Sequence, residues 1–201
     1  KNKKKIAVIG AGPAGLAAAT ISAQRGHNIT LFDADKEIGG QFNLAKQIPG
    51  KEEFYETLRY FNKQIALQGV ELKLNTRVTN EDLINSDFDE IILATGIQPR
   101  VLKIEGIEHQ KVLSYLDVLK FKKPVGKRVA VIGAGGIGFD VSEYLSHDGA
   151  AASQNIDTWL KEWGIDKSLE ARSGIENVKT EFHPSPREIF MFKRSKGKFG
   201  G

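Results

Sequence analysis

The stretch Lys5-Ile6-Ala7-Val8-Ile9-Gly10-Ala11-Gly12-Pro13-Ala14-Gly15 runs an apolar segment into a G-x-G-x-x-G spacing. Residues 6–9 suit a parallel strand buried on both faces. Pro13 stands near a helix start, where its missing N–H is harmless. Residues 16–24 are rich in Ala and Leu, Gly26 ends them, and residues 28–32 read as a second strand closed by Asp33. From Gly12 to Asp33 is 21 residues, the spacing expected for the acid that grips a ribose. Each residue type has a physical task. Gly10 permits the tight turn, Gly12 lets the backbone approach a pyrophosphate, and Gly15 lets helix and strand pack closely. The N–H groups at the helix start, aided by the helix dipole, favour an anion. A purely structural turn is the alternative, but strand, helix and acid together favour a dinucleotide site.

Part of the stretch occurs twice. Ala7-Val8-Ile9-Gly10-Ala11-Gly12 returns letter for letter as Ala130-Val131-Ile132-Gly133-Ala134-Gly135. The offset is too long for a solenoid repeat, so one nucleotide-binding unit is used twice. The fold class expected is α/β, with two Rossmann-like domains at residues 1–105 and 106–201. Residues 105–127, with Gly106, Pro124 and Gly126, read as the crossing between them. In the second unit a strand at 128–132 leads to Gly133, Gly135, Gly136, Ile137 and Gly138, then a helix to about residue 146. There the spacing breaks. Residues 148–188 intervene before the next strand-like run at 189–192. This insertion includes a helix with Trp159 and Trp163 on one face, read as a packing pair. Where that strand ends, Lys193 and Arg194 replace the expected acid, with Lys196 and Lys198 nearby. Cations there suit a 2′-phosphate and favour NADPH over NADH; solvated charges at a chain end are the alternative.

Between the two copies, residues 51–68 show helical periodicity through Phe54, Leu58, Phe61, Ile65 and Leu67, a core-facing amphipathic helix. Residues 71–74 alternate like a half-exposed strand, with Arg77 and Val78 extending its edge. A further buried strand at 89–93 runs directly into Ala94-Thr95-Gly96.

Composition narrows the function classes. The 201 residues carry 29 Lys and Arg against 25 Asp and Glu, a net of +4, with 40% hydrophobic residues and no cysteine. That excludes a disordered chain, disulfides, thiolate metal sites and cysteine nucleophiles within these residues. The excess positive charge sits at Lys1, Lys3, Lys4 and Lys5 and between Arg187 and Lys198, while residues 6–186 are net acidic. A nucleic-acid binder would carry a basic stripe across the fold, so no nucleic-acid partner is expected. No apolar run approaches a membrane span and no signal peptide opens the chain, so no membrane partner and a cytoplasmic location are expected. His27, His109, His147 and His183 have no spacing that suggests a triad or a metal site. A first residue of Lys points to a piece of a longer protein.

The paired units, with Gly39-Gly40 soon after Asp33 and Ala94-Thr95-Gly96 before the second unit, resemble the two-dinucleotide-binding-domain flavoproteins. Three longer stretches are more specific: residues 37–54, residues 112–119, and Gly133-Ala134-Gly135-Gly136-Ile137-Gly138-Phe139-Asp140. With the insertion residues 153–156 and 162–166, they resemble the bacterial 2,4-dienoyl-CoA reductase (NADPH) family. The resemblance implies FAD in the first domain and NADPH in the second. It places FAD phosphates against Gly10, Gly12, Ala14 and Gly15, its ribose on Asp33, its flavin side near Gly40 and Gln41, and its adenine near Val78. Ala94, Thr95 and Gly96 would close that site. NADPH phosphates would meet the second loop, and Lys193 with Arg194 the 2′-phosphate. The implied role is electron input, with hydride passing from NADPH to FAD and electrons moving on toward an N-terminal TIM barrel. That barrel carries FMN and a 4Fe-4S cluster, holds the catalytic residues, and reduces 2,4-dienoyl-CoA in fatty acid β-oxidation. None of the barrel is present, and the segment completing both nucleotide domains is absent too. The chain by itself is therefore not expected to turn over, and acyl-CoA is reached only through the barrel. A glutamate-synthase-like electron-input subunit and a non-catalytic nucleotide-binding module remain as alternatives. A disulfide reductase of similar architecture needs a cysteine pair that these residues lack.

Overall fold

The computed structural model describes residues 2–100, 102–149, 151–194, 196 and 197, so Lys1 and Lys198 lie outside the described residues. The chain divides into two compact units. The first comprises the chain up to Lys46 together with Glu53–His109. The second comprises Gln47–Glu52 and the chain from Gln110 onward. The boundary thus falls a few residues beyond the expected 105, and a short excursion at Gln47–Glu52, which no periodicity marks, belongs with the later unit.

In the first unit the elements follow as β1 (Lys5–Ile9), α1 (Pro13–Gln24), β2 (Asn28–Phe32), α2 (Phe42–Ala45), α3 (Glu53–Leu67), β3 (Glu71–Lys73), α4 (Asn80–Ile84) and β4 (Glu90–Leu93). Their four strands form one parallel sheet in the order β3-β2-β1-β4. Ile9 lies opposite both Phe32 and Leu93, so the carboxyl ends of three neighbouring strands are level. That edge is where an open parallel sheet binds ligands. β1 is central, and Ala7 and Val8 are fully buried, as a parallel strand covered on both faces requires. Leu16 and Ala19 of α1 and Leu58 and Ile65 of α3 join Val8 and Leu31 in the core, with Phe61 packed against it.

Three expectations fail in this unit for identifiable reasons. The strand at 89–93 is not buried: β4 ends the sheet of the described residues, and its Ile91 and Leu93 are exposed. Leu67 is exposed rather than core-facing, because two residues past Ile65 the helix has turned about 200°. Arg77 and Val78 do not extend β3. Asn75, at φ 52°, turns the chain, and Thr76 N–H donates to the Asp33 carbonyl at 2.8 Å. Thr79 then caps α4 reciprocally with Asp82.

The second unit holds α5 (Tyr115–Leu119), β5 (Arg128–Ile132), α6 (Gly136–Ser146), α7 (Ile156–Glu162) and β6 (Glu188–Phe192). Residues 105–127 are therefore more than a crossing, since Ser114 and Asp117 form a capping box on α5. β5 and β6 pair in parallel, Arg128 opposite Glu188 and Ile132 opposite Phe192. The insertion leaves after α6 and returns as β6. Within it the Trp159 and Trp163 rings lie 5.8 Å apart, and Trp163, the C-cap of α7, is largely exposed, so the two rings pack on each other. The turn after α7 is held by Asp166. Its carboxylate accepts N–H bonds from Ala171 at 2.7 Å and Ser168 at 2.8 Å, and the Ser168 hydroxyl at 2.6 Å. These donors, that of Ala171 foremost, hold its pKa down to about 2.

Candidate dinucleotide sites

The repeat read in the sequence is also a repeat in space. Gly10 N–H donates to the Phe32 carbonyl at 2.8 Å, and Gly133 N–H donates to the Phe192 carbonyl at the same distance. β6 therefore stands to β5 as β2 stands to β1, although residues 148–188 separate it from α6. Gly10 and Gly133 have φ of 106° and 119°, a region only glycine enters without strain. A side chain on Gly15 would lie 1.8 Å from the Gly10 carbonyl oxygen, and one on Gly138 would lie 1.9 Å from that of Gly133. So Gly15 and Gly138 each let a helix pack directly on its own loop.

The middle glycines differ in kind. Nothing lies within 4 Å of where a Cβ would sit on Gly12, Gly135 or Gly136. Gly12 and Gly135 are the N-caps of α1 and α6, with extended backbone, no side-chain cap and no acid in the first turn. Among the described residues no side chain caps the first N–H groups of either helix, and open space lies over the capping glycine. That arrangement fits a pyrophosphate at each loop.

The first loop is enclosed. Ala94 N–H donates to the Ile9 carbonyl at 2.8 Å, and a Cβ on Gly10 would meet the Ala94 carbonyl oxygen at 2.3 Å. Gly40 approaches from the other side, its Cβ position 3.1 Å from the Gly12 Cα. Gly39 N–H is bound by the Ala11 carbonyl at 2.8 Å, and Asn43 donates to the Ile38 carbonyl at 2.9 Å. The structure therefore brings Gly10, Gly12, Gly15, Gly40 and Ala94 together. Ala14, Gln41, Thr95 and Gly96 are exposed residues of the same segments. Val78 is half-buried in the connection that precedes α4, two residues after Thr76, whose N–H donates to the Asp33 carbonyl at 2.8 Å.

Asp33 does more than the spacing implies. Its Oδ2 accepts the Ala11 N–H at 2.6 Å, and its Oδ1 accepts the Asp35 N–H at 2.8 Å. The carboxylate therefore fastens the glycine loop to the end of β2. A carboxylate has about four lone-pair sites, so acceptor capacity remains for ribose hydroxyls. No residue spacing signals the Ala11 bond.

The second loop is more open. Gly133, Gly135, Gly136 and Ile137 are exposed, as are Ile132 and Phe192 at the strand ends. Ile132 lies opposite Phe192 just as Ile9 lies opposite Phe32, so Lys193 takes the place that Asp33 has in the first unit. A lysine has no acceptor to offer the Ala134 N–H. Arg194 follows, exposed. Asp140, in the second turn of α6, is paired with Lys51 at 2.6 Å, a contact the sequence does not advertise.

The histidines are scattered. His27 Nδ1 accepts the Lys4 N–H at 3.2 Å, and His147 Nδ1 lies 2.9 Å from the Glu143 carbonyl at the end of α6. Among the described residues no three His, Cys, Asp or Glu side chains are placed to hold a metal ion, and no helix is long and apolar enough to cross a membrane.

Comparison with known proteins gives the family. The profile of the pyridine nucleotide-disulphide oxidoreductases matches residues 4–176. The chain belongs to that family. Its membership carries the fold and the nucleotide chemistry, since these residues contain no cysteine for the disulphide chemistry of the family's name. Among curated relatives, a cinnamate reductase of Clostridium sporogenes is 36% identical over 146 residues, 73% of this chain and 22% of the relative. An NADH oxidase of Thermoanaerobacter brockii is 35% identical over 152 residues, 74% of this chain and 23% of the relative. Among solved structures, a 2-naphthoyl-CoA reductase complex with 2-naphthoyl-CoA superposes with a TM-score of 0.70 at 27% identity, covering 96% of this chain and 33% of that one. A histamine dehydrogenase of Rhizobium sp. 4-9 gives a TM-score of 0.60 at 26% identity over 75% of this chain and 25% of its own. The chain thus spans roughly a quarter of the curated relatives named here. The family's fold binds FAD and nicotinamide dinucleotides, and the relatives named are oxidoreductases.

Proposed function

We propose that this chain is the FAD- and NADPH-binding electron-input part of a flavin oxidoreductase of the 2,4-dienoyl-CoA reductase type. The observation that carries the reading is the paired loop geometry. Two uncapped helix starts, each over an open glycine and each locked by a glycine packed on its own loop, suit two dinucleotides. The unit ending at His109 is read as the FAD domain and the unit from Gln110 as the NADPH domain. In the first, the N–H groups beyond Gly12 would receive FAD phosphates. Asp33 would take the ribose while holding Ala11, and Gly40 would leave room for the flavin side. In the second, residues 135–138 would receive the NADPH phosphates, and Lys193 with Arg194 the 2′-phosphate.

A bound FAD supplies a ring that accepts hydride and releases electrons one at a time. This chain's residues bind and orient the two dinucleotides, and no side chain here is assigned a proton or a nucleophile. The likeness to a 2-naphthoyl-CoA reductase over nearly the whole chain supports an acyl-CoA reductase as the parent. In this reading FMN, a 4Fe-4S cluster and the substrate site lie in a separate barrel. The test is purification of the whole protein with its flavins, followed by anaerobic addition of NADPH and then a 2,4-dienoyl-CoA. Bleaching by NADPH and recovery on adding the dienoyl thioester supports the reading. A protein that stays colourless after addition of FAD is a nucleotide-binding module instead.

A further inference from the structure

The chain leaves the first unit after Lys46 and rejoins it at Glu53, and the intervening Gln47–Glu52 belong with the second. That short strap is fastened at several points. Ile48 is buried, Lys122 donates to Gln47 Oε1, and the Ser153 hydroxyl donates to Glu52 at 3.2 Å. Lys51 Nζ lies 2.6 Å from Asp140 Oδ1. Asp140 is four residues beyond Gly136, the first residue of α6, so it stands one turn below it on the same face. The face begins at the uncapped helix start of the second loop.

A lone carboxylate at that place opposes the phosphates of a dinucleotide. An ammonium locked to it cancels the charge. Stability does not account for the pair, since both side chains are a third or more exposed and such pairs contribute little. We propose that Lys51 is a positioning residue of the second dinucleotide site: it neutralises Asp140 and so keeps the α6 face permissive for the phosphates. This rests on reading residues 133–138 as a nicotinamide dinucleotide site.

The test is NADP⁺ and NAD⁺ binding by calorimetry to the whole protein, with flavin content read at ~450 nm in each variant. Lys51→Ala is expected to weaken binding about three- to tenfold, the scale of one unpaired charge near a pyrophosphate in a largely solvated site. Lys51→Arg should bind like the natural protein. Asp140→Asn should bind at least as tightly, and Lys51→Ala with Asp140→Asn should recover most of the loss. FAD content should hold throughout. Affinity unchanged in Lys51→Ala, or a double variant as weak as Lys51→Ala, overturns the proposal while leaving the second site standing. A natural protein that binds neither nucleotide overturns both, and one that prefers NAD⁺ overturns only the coenzyme reading, the comparison then being made with NAD⁺.

Discussion

Replacing Asp33 with Ala separates two tasks that the carboxylate combines. Ala11 is fully buried, and its N–H has Asp33 Oδ2 as acceptor at 2.6 Å. Removing the acceptor strands a donor away from water, which costs about 1–3 kcal/mol. The Asp35 N–H, at an exposed residue, finds water instead and adds little. So Asp33→Ala should destabilise the first unit by about 1–3 kcal/mol without any FAD present, and Asp33→Asn, which keeps an amide oxygen, by under about 1 kcal/mol. The molecule supplies its own control. Both tryptophans, Trp159 and Trp163, lie in the second unit, so their fluorescence in a urea titration reports that unit, whereas far-UV circular dichroism reports both. The dichroism transition should move to lower urea in Asp33→Ala and the fluorescence transition should not. A dichroism transition within about 0.5 kcal/mol of the natural chain would refute the claim that Asp33 holds the loop. In the whole protein FAD affinity should fall by a further 1–3 kcal/mol or so if ribose bonds are lost as well.

Gly15→Ala and Gly138→Ala each drive a methyl into a backbone carbonyl, at 1.8 and 1.9 Å. Such overpacking costs about 1–3 kcal/mol or more. Gly15→Ala should empty the whole protein of FAD and spare nucleotide binding, and Gly138→Ala should do the reverse, as absorbance and calorimetry will show. Lys193→Ala combined with Arg194→Ala should remove most of a roughly 10²- to 10⁴-fold preference for NADPH, two charge-assisted contacts being lost. The change should appear in KM rather than kcat in stopped-flow flavin reduction; a preference that survives means the phosphate is read elsewhere. Asp166 has a folded-state pKa of about 2, below its unfolded value, so its contribution is complete above that unfolded value and is lost as pH falls toward 2. Asp166→Asn should flatten the acid dependence of the tryptophan transition between roughly pH 5 and 2, and an unaltered slope contradicts that role.

How much of this was legible in the sequence depends on how local each signal is. β1, α1 and β2 are readable because an apolar run, a glycine spacing and an acid all act within about thirty residues, the size of one βαβ unit. β6 is readable despite the insertion because Ile189 to Phe192 is apolar and Lys193 follows at once, and its register with β5 supports that alignment. Contacts between distant segments are not readable. Nothing in Gln47–Glu52 announces that it packs with the second unit, and Lys51 and Asp140 are 89 residues apart. Leu67 shows the limit of periodicity at a helix end, where one residue too many reverses the face. Asn75 shows the limit at a strand end, where a left-handed residue turns the chain although Arg77 and Val78 keep a strand-like pattern. The Ala11 bond to Asp33 illustrates a third kind of silence. The acid is legible, but its partner is a backbone N–H that every residue possesses.

The proposal that the first loop receives FAD and the second a nicotinamide dinucleotide that reduces it has one direct test. The whole, flavin-loaded protein is mixed anaerobically with NADPH in a stopped-flow spectrometer, and absorbance is followed near 450 nm. Rapid saturable bleaching that is lost in Gly138→Ala, while flavin content stays unchanged, is the predicted result. A flavin that neither NADPH nor NADH reduces, or one reduced equally well after Gly138→Ala, would contradict the account.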